Sequence, residues 1–157
     1  MPKHSAGLLL YRPGSDGAEV LLVHPGGPFY ARKDDGSWSI PKGEVEAGEE
    51  PLEVALREFE EELGAAPPVP RESLVELGSI RQKGGKVVSA WCAEGDFDPT
   101  GFSSNTFLLE WPPRSGQLQE FPEVDRVCWY GLAEARVKLL AAQGELIDRL
   151  EAVLDPH

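Results

Sequence analysis

Residues 43–65 read GEVEAGEEPLEVALREFEEELGA, and near the end of this stretch Glu58, Glu61 and Glu62 stand three and four positions apart. At about 100° per residue, Leu52, Leu56, Phe59 and Leu63 fall in one narrow stripe, the core-facing side of an amphipathic helix. The three acids lie off that stripe and beside one another, where like charges repel by roughly 0.2–0.5 kcal/mol per pair. Gly64 is placed to end the helix, so the acids also occupy its last turn, where the dipole favours Lys or Arg. Glu53 and Glu60 project from the other side and read as solvated charges. Taken alone, the run fits an exposed acidic helix. A broken local rule also marks a functional site, and a hard divalent cation held by the clustered carboxylates is the simplest compensation.

The flanking residues extend the pattern. Trp38-Ser-Ile-Pro-Lys-Gly43 is a short apolar segment ending in Pro and Gly; Glu49 follows six residues after Gly43, and Arg57 eight after that. Gly43, Glu49, Arg57, Glu58, Phe59, Glu61, Glu62, Gly64 and Ala65 together resemble the signature of the Nudix hydrolase superfamily at every fixed position. Ala65 is small for its apolar slot. The resemblance implies an α/β fold, an α/β/α sandwich around a central mixed β-sheet. It also implies Mg²⁺-dependent cleavage of a pyrophosphate linkage, with Mn²⁺ as a substitute. Glu58, Glu61 and Glu62 would hold the metal with the backbone carbonyl of Lys42, and water would attack phosphorus while the ions stabilise charge on the oxygens.

Each motif residue also has a physical reading of its own. Gly43 allows a tight turn after a strand. Arg57, adjacent to Glu58 and four before Glu61, offers a planar guanidinium to brace carboxylates, or an ordinary ion pair with Glu53 or Glu61. Glu49, at the start of the helix, reads as structural.

A second candidate site is Glu120-Phe-Pro-Glu123-Val-Asp-Arg-Val-Cys-Trp129-Tyr130. It resembles the late segment of Nudix enzymes related to diadenosine tetraphosphate hydrolases, in which a glutamate precedes a strand tryptophan by six residues, as Glu123 precedes Trp129. That resemblance makes Glu123 a metal ligand or general base, with Glu58 the other candidate base and Arg57 and Glu61 completing the catalytic set. Glu120 and Asp125 are nearby alternatives to Glu123.

For substrate contacts, Trp38, Phe29 and Tyr30 offer faces on which a nucleobase could stack. Arg32 and Lys33 on the loop 25–36, and Arg81, Lys83 and Lys86 near a hairpin, could meet phosphates, although all fit surface charges equally well. His24 could stand near the substrate or be a satisfied histidine at a strand end. Three functions stay open: a hydrolase of dinucleoside polyphosphates or nucleoside triphosphates, a nucleotide-sugar pyrophosphatase, and a Nudix domain that senses a ligand or binds protein without chemistry. The complete set of mutually repelling glutamates argues against the last.

At 157 residues with 41% hydrophobic content, residues 1–157 are expected to form one domain with a core that needs no disulfides. Cys92 and Cys128 sit in apolar or aromatic segments and read as free thiols. The stretch Met1-Pro-Lys-His-Ser-Ala6 carries no long apolar run, and no segment reaches the length needed to span a bilayer, so a soluble cytoplasmic protein without membrane partners is expected. A net charge of −12 argues against binding to nucleic-acid backbones. It leaves a small nucleotide as partner, because bound metal reverses the local field. Oligomeric state stays open.

Strands are expected at 5–11, 19–23, 37–40, 74–81, 86–93, 105–111 and 126–130, with the 74–81 and 86–93 pair turning at Lys83-Gly-Gly85. The segment 41–48 reads as a loop. Pro51 suits the first turn of the acidic helix, and Pro67-Pro-Val-Pro70 forbids its continuation. A last helical region spans 132–154, interrupted near Gly144.

Overall fold

The computed structural model describes residues 3–155, so Met1, Pro2, Pro156 and His157 lie outside the described residues. Two long strands, β1 (His4–Gly14) and β2 (Gly17–Pro25), form the centre of a mixed sheet. Both carry unbroken apolar runs, Leu8–Leu10 and Val20–Val23, because both faces of the sheet are covered. The order is β4 (Val75–Arg81), β5 (Val87–Glu94), β1, β2, β8 (Val124–Gly131), with β3 (Lys42–Glu44) also paired to β1. Strand β5 runs parallel to β1, and the other pairings are antiparallel.

Helix α1 (Pro51–Leu63) lies on one face, where Phe59 and Leu63 pack against Leu8, Leu10, Leu21 and Val23. Helices α2 (Leu132–Lys138) and α3 (Gly144–Leu154) cover the other, where Ala135, Leu146, Ile147 and Leu150 meet Leu9, Val20 and Leu22. Alternate residues of β1 and β2 thus serve opposite cores, which makes the layer order α/β/α. A separate ribbon, β6 (Thr106–Glu110) with β7 (Leu118–Pro122), stands off the main sheet.

Strand β1 pairs with β2 only from Tyr11 to Gly14, while its opening residues Ser5–Gly7 pair with β3. The two central strands therefore splay, and residues 39–44 thread the gap: Val23 and Ser39 exchange backbone bonds of 2.9 and 3.0 Å, and Leu8 N–H donates to the Pro41 carbonyl at 3.1 Å. The expected strand at 37–40 is corrected here. Ser39 and Trp38 make only isolated bridges, to Val23 and Leu139, and the strand lies beyond Pro41 in the segment expected as a loop.

One strand stands where none was expected, and one expected break moves. Strand β7 has neither alternation nor β-branched residues, and only its pairing with β6 makes it a strand. The C-terminal helical region breaks at 139–143 rather than at Gly144, which is the first residue of α3. The break is tertiary in origin: Trp38 N–H donates to Lys138 O at 3.0 Å and Leu140 N–H to Trp38 O at 2.9 Å, drawing the chain out of helical geometry.

Candidate active site

Helix α1 forms where expected, but its core face is corrected: Val54, Ala55, Phe59, Glu62 and Leu63 are buried while Leu52 and Leu56 are only half-buried, so Glu62 lies on the core-facing side and not off it. Pro51 opens α1, and Gly64 closes it in the left-handed conformation at φ 82°, its N–H bonded to the Glu60 carbonyl. Two of the carbonyls left open at that end are taken by the loop ahead of β6: Ser103 N–H donates to Leu63 O at 3.1 Å and Asn105 N–H to Glu61 O at 2.8 Å. Asn105 also accepts from Glu123 N–H at 2.8 Å, and Gly26 N–H donates to Glu123 O at 3.0 Å. This chain of backbone bonds draws Glu123, at the joint between β7 and β8, to the acidic end of α1 from sixty-one residues away in sequence.

Glu62 is the most buried acid, 9% exposed, and burial pushes its carboxyl up to about 8. The Glu58 charge and, more weakly, Glu123 add to that rise, while Lys42 opposes it through the charge of its amine and a hydrogen bond from its backbone. Glu58 is raised by burial and then by Glu61, against the pull of Arg57. Glu123 is raised by burial and by Glu61. Glu58, Glu62 and Glu123 are each raised by burial first and by a neighbouring carboxylate second, so the three form one electrostatic unit.

Arg57 holds the outer side of this unit. Its Nη1 donates to Glu49 Oε2 at 2.6 Å, and it stands 3.7 Å from Glu58 and 3.8 Å from Glu61. Glu49 in turn accepts the Glu46 N–H at 2.8 Å, so the strongest partner of Arg57 is itself anchored to backbone. Glu53 instead pairs with Arg71 on the far side of the helix. Gly43 does not serve a turn: a Cβ there would lie 2.0 Å from Glu58 Cδ, so the absence of a side chain is what lets Glu58 lie against β3.

Beside the acids a cavity of about 250 Å³ opens in the splay between the central strands, lined in part by Tyr30, Lys42, Glu62, Gln82, Lys86 and Glu123. The Lys42 amine is lowered by burial and by Lys86, with Glu62 and Glu58 pulling the other way. Of the expected substrate contacts, Tyr30 and Lys86 reach this cavity; Arg32 and Lys33 do not, and Lys33 stacks its amine 5.3 Å from the Tyr30 ring. Trp38 is corrected: it is 2% exposed, wedged edge-on to His24 and Tyr130, with Nε1 donating to Asp34 at 2.8 Å. Its indole is part of the core, not a stacking face. Phe29 is 61% exposed but stands edge-on to Trp111, and is not among the residues lining the cavity. Buried His24 meets Asp125 and the Lys33 carbonyl, each at 2.7 Å, at a bulge of β8.

The sequence reading missed Gln82 and Gln143. Gln143 is fully buried, a status its place between α2 and α3 confers and its residue type does not announce.

The donor set suits a hard cation: clustered carboxylate oxygens, one of them buried at the edge of a polar cavity and kept protonated by its surroundings unless a positive charge arrives. Among the described residues, no three acidic, histidine or cysteine side chains converge as a ready-made cage. The fit therefore rests on Glu62 and on its coupling to Glu58 and Glu123, with Arg57 still drawing Glu58 and Glu61 outward.

Residues 1–150 match the NUDIX domain, and the chain belongs to that family. It is 39% identical over 66 residues to the RNA pyrophosphohydrolase of Rhodospirillum rubrum, covering 40% of this chain and 38% of that protein. The match thus spans about two fifths of the relative. Two structures of the Ap4A hydrolase of C. elegans superpose with TM-scores of 0.64 and 0.58, each covering 98% of this chain and 99% of the other, at 24% and 26% identity. No helix among the described residues is long and apolar enough to cross a membrane.

Proposed function

We propose that this protein is a divalent-cation-dependent hydrolase of phosphoric anhydride bonds, acting on nucleoside polyphosphates. The observation that carries the reading is Glu62, a carboxyl buried at the edge of the cavity and coupled to Glu58, Glu123 and Lys42, with Lys86 lining the same cavity. A protein has little reason to bury repelling acids next to a polar cavity unless a cation balances them. Glu58, Glu61 and Glu62 would hold that cation with the Lys42 carbonyl, and Mg²⁺ is the favoured ion, with Mn²⁺ as a substitute. When bound, it supplies charge for the phosphate oxygens and lowers the pKa of attacking water.

The chain's own residues do the rest. Glu123 or Glu58 takes the proton from water, each carboxyl being raised towards the pH at which a base works well. Lys42 and Lys86 meet the phosphate oxygens from the cavity side. Arg57, tied to Glu49, fixes the orientation of Glu58 and Glu61 without touching substrate.

Among substrates, dinucleoside polyphosphates and nucleoside triphosphates are favoured, the former supported by the likeness to the Ap4A hydrolase and by the spacing of Glu123 and Trp129. Phosphate release across a panel of nucleotides and nucleotide sugars, with Mg²⁺ and a coupling phosphatase where needed, tests this. Glu62→Gln is expected to lose turnover by orders of magnitude while keeping the wild-type circular dichroism spectrum. Full activity of that variant at saturating Mg²⁺ would refute the assignment, and silence of the wild type on the whole panel would favour a non-catalytic Nudix domain.

A further inference from the structure

Gln82 and Gln143 form a short relay of side-chain amides whose direction is fixed by the backbone. The Ile40 N–H, which can only donate, meets Gln143 Oε1 at 3.0 Å, so the other end of that buried amide is its NH₂ group. The two protons of Gln143 Nε2 go to Ser39 Oγ at 3.0 Å and to Gln82 Oε1 at 2.9 Å. Ser39 donates its own proton to the Ile40 carbonyl at 2.7 Å, which completes the buried set. Because Gln143 presents only donors to Gln82, the Gln82 oxygen must face it. Gln82 Nε2 is left with two protons that no acceptor takes among the described residues, on a side chain that lines the cavity.

We propose that Gln82 determines base specificity: its amide, aligned by Gln143, donates to the acceptor edge of a 6-keto purine, guanine or hypoxanthine, in preference to adenine. This rests on the reading of the cavity as a nucleotide site. Guanine offers only acceptors there, O6 and N7, whereas adenine pairs an acceptor with an amino donor. A glutamine reads adenine with its oxygen and its nitrogen together, and here the oxygen is turned to Gln143, leaving the NH₂ group as the free end. A phosphate oxygen is the weaker candidate partner, since Lys42 and Lys86 line the same cavity and form charge-assisted bonds about twice as strong. Ile40, Val124 and Leu140 give the cavity the apolar surface that a purine ring needs. Gln143 is a positioning residue: it touches no substrate and acts through Gln82.

The test compares inosine with adenosine polyphosphates, which exchange the 6-carbonyl for an amino group and present the same phosphates. Wild type is expected to favour inosine by about tenfold in kcat/KM. Gln82→Glu keeps an oxygen for Gln143 to bond but replaces the cavity-facing donor by an acceptor, so it should abolish or invert the preference. Gln143→Glu still accepts from Ile40 N–H but offers Gln82 an oxygen; Gln82 then turns its NH₂ inward and its oxygen to the cavity, giving the same inversion from a residue that never meets substrate. A simple structural role for Gln143 would lower both activities and leave the ratio alone. If Gln143→Glu fails to fold, Gln82→Glu decides. A wild type that cleaves both nucleotides equally, or a Gln82→Glu variant that lowers both activities with the ratio unchanged, overturns the inference and leaves the hydrolase reading standing. A wild type that cleaves neither, nor any other nucleotide of the panel, overturns the hydrolase reading and the inference with it.

Discussion

Glu62 concentrates the chemistry of this molecule in one side chain. A carboxyl whose folded-state pKa is raised to about 8 from its ordinary value favours the folded state when protonated, so its contribution is fully present below the unfolded pKa of about 4.5 and is lost as pH rises through about 8. In chelator, wild type is therefore expected to lose stability from pH 5 to pH 8.5 more steeply than Glu62→Gln, with a melting temperature below the variant's at the alkaline end and equal to it near pH 5. Parallel pH profiles for the two proteins would show that Glu62 is not desolvated. Gly43 makes a second case. Gly43→Ala puts a methyl where Glu58 Cδ now lies, so the carboxylate must move away from β3; activity should fall by about a hundredfold or more while the melting temperature changes by only a few degrees.

At the scale of elements, the existence and ends of α1 were legible from its own residues because that information is local, a 3.6-residue period with Pro51 at one end and Gly64 at the other; which side faces the core was not, since packing buries Val54, Ala55 and Glu62 in place of Leu52 and Leu56. The 74–81 and 86–93 hairpin was legible for the same reason, with a turn rich in glycine between two apolar runs. Strand β3 was not, because three residues after a proline carry no period, and only the gap between β1 and β2 makes them a strand. The late helical region failed similarly, since Leu139 and Leu140 have good helix propensity and are overridden by two backbone bonds to Trp38. Arg57 belongs to this scale because it ties α1 to the segment before it. Arg57→Lys keeps the charge and loses the fork that spans Glu49, Glu58 and Glu61, so kcat should drop about tenfold with KM little changed, measured by steady-state kinetics.

For the whole molecule, a net charge of −12 should repel polyphosphates, so substrate capture should depend on the cation as much as cleavage does. Binding of a non-hydrolysable nucleotide, followed by calorimetry, is expected to vanish in chelator and return with Mg²⁺. The ion should also raise the melting temperature more at pH 8.5 than at pH 6, because below about 8 a proton competes for Glu62. A melting temperature that ignores Mg²⁺ at both pH values would remove the cation from the account.

The division between chain and fold follows the range of the forces involved. The sequence by itself determined the acidic helix, its ends and the family they belong to, because all of these lie within one local run, Gly43 to Ala65. The tertiary structure alone decided that Trp38 is core, that Gly43 is needed to make room for Glu58, and that Arg32 and Lys33 stand away from the cavity. It also joined Gln143 to Gln82 across sixty-one residues and placed Glu123 beside α1 through Asn105. Those outcomes depend on which backbone donors and apolar surfaces meet once the sheet has splayed, and no local period encodes that meeting.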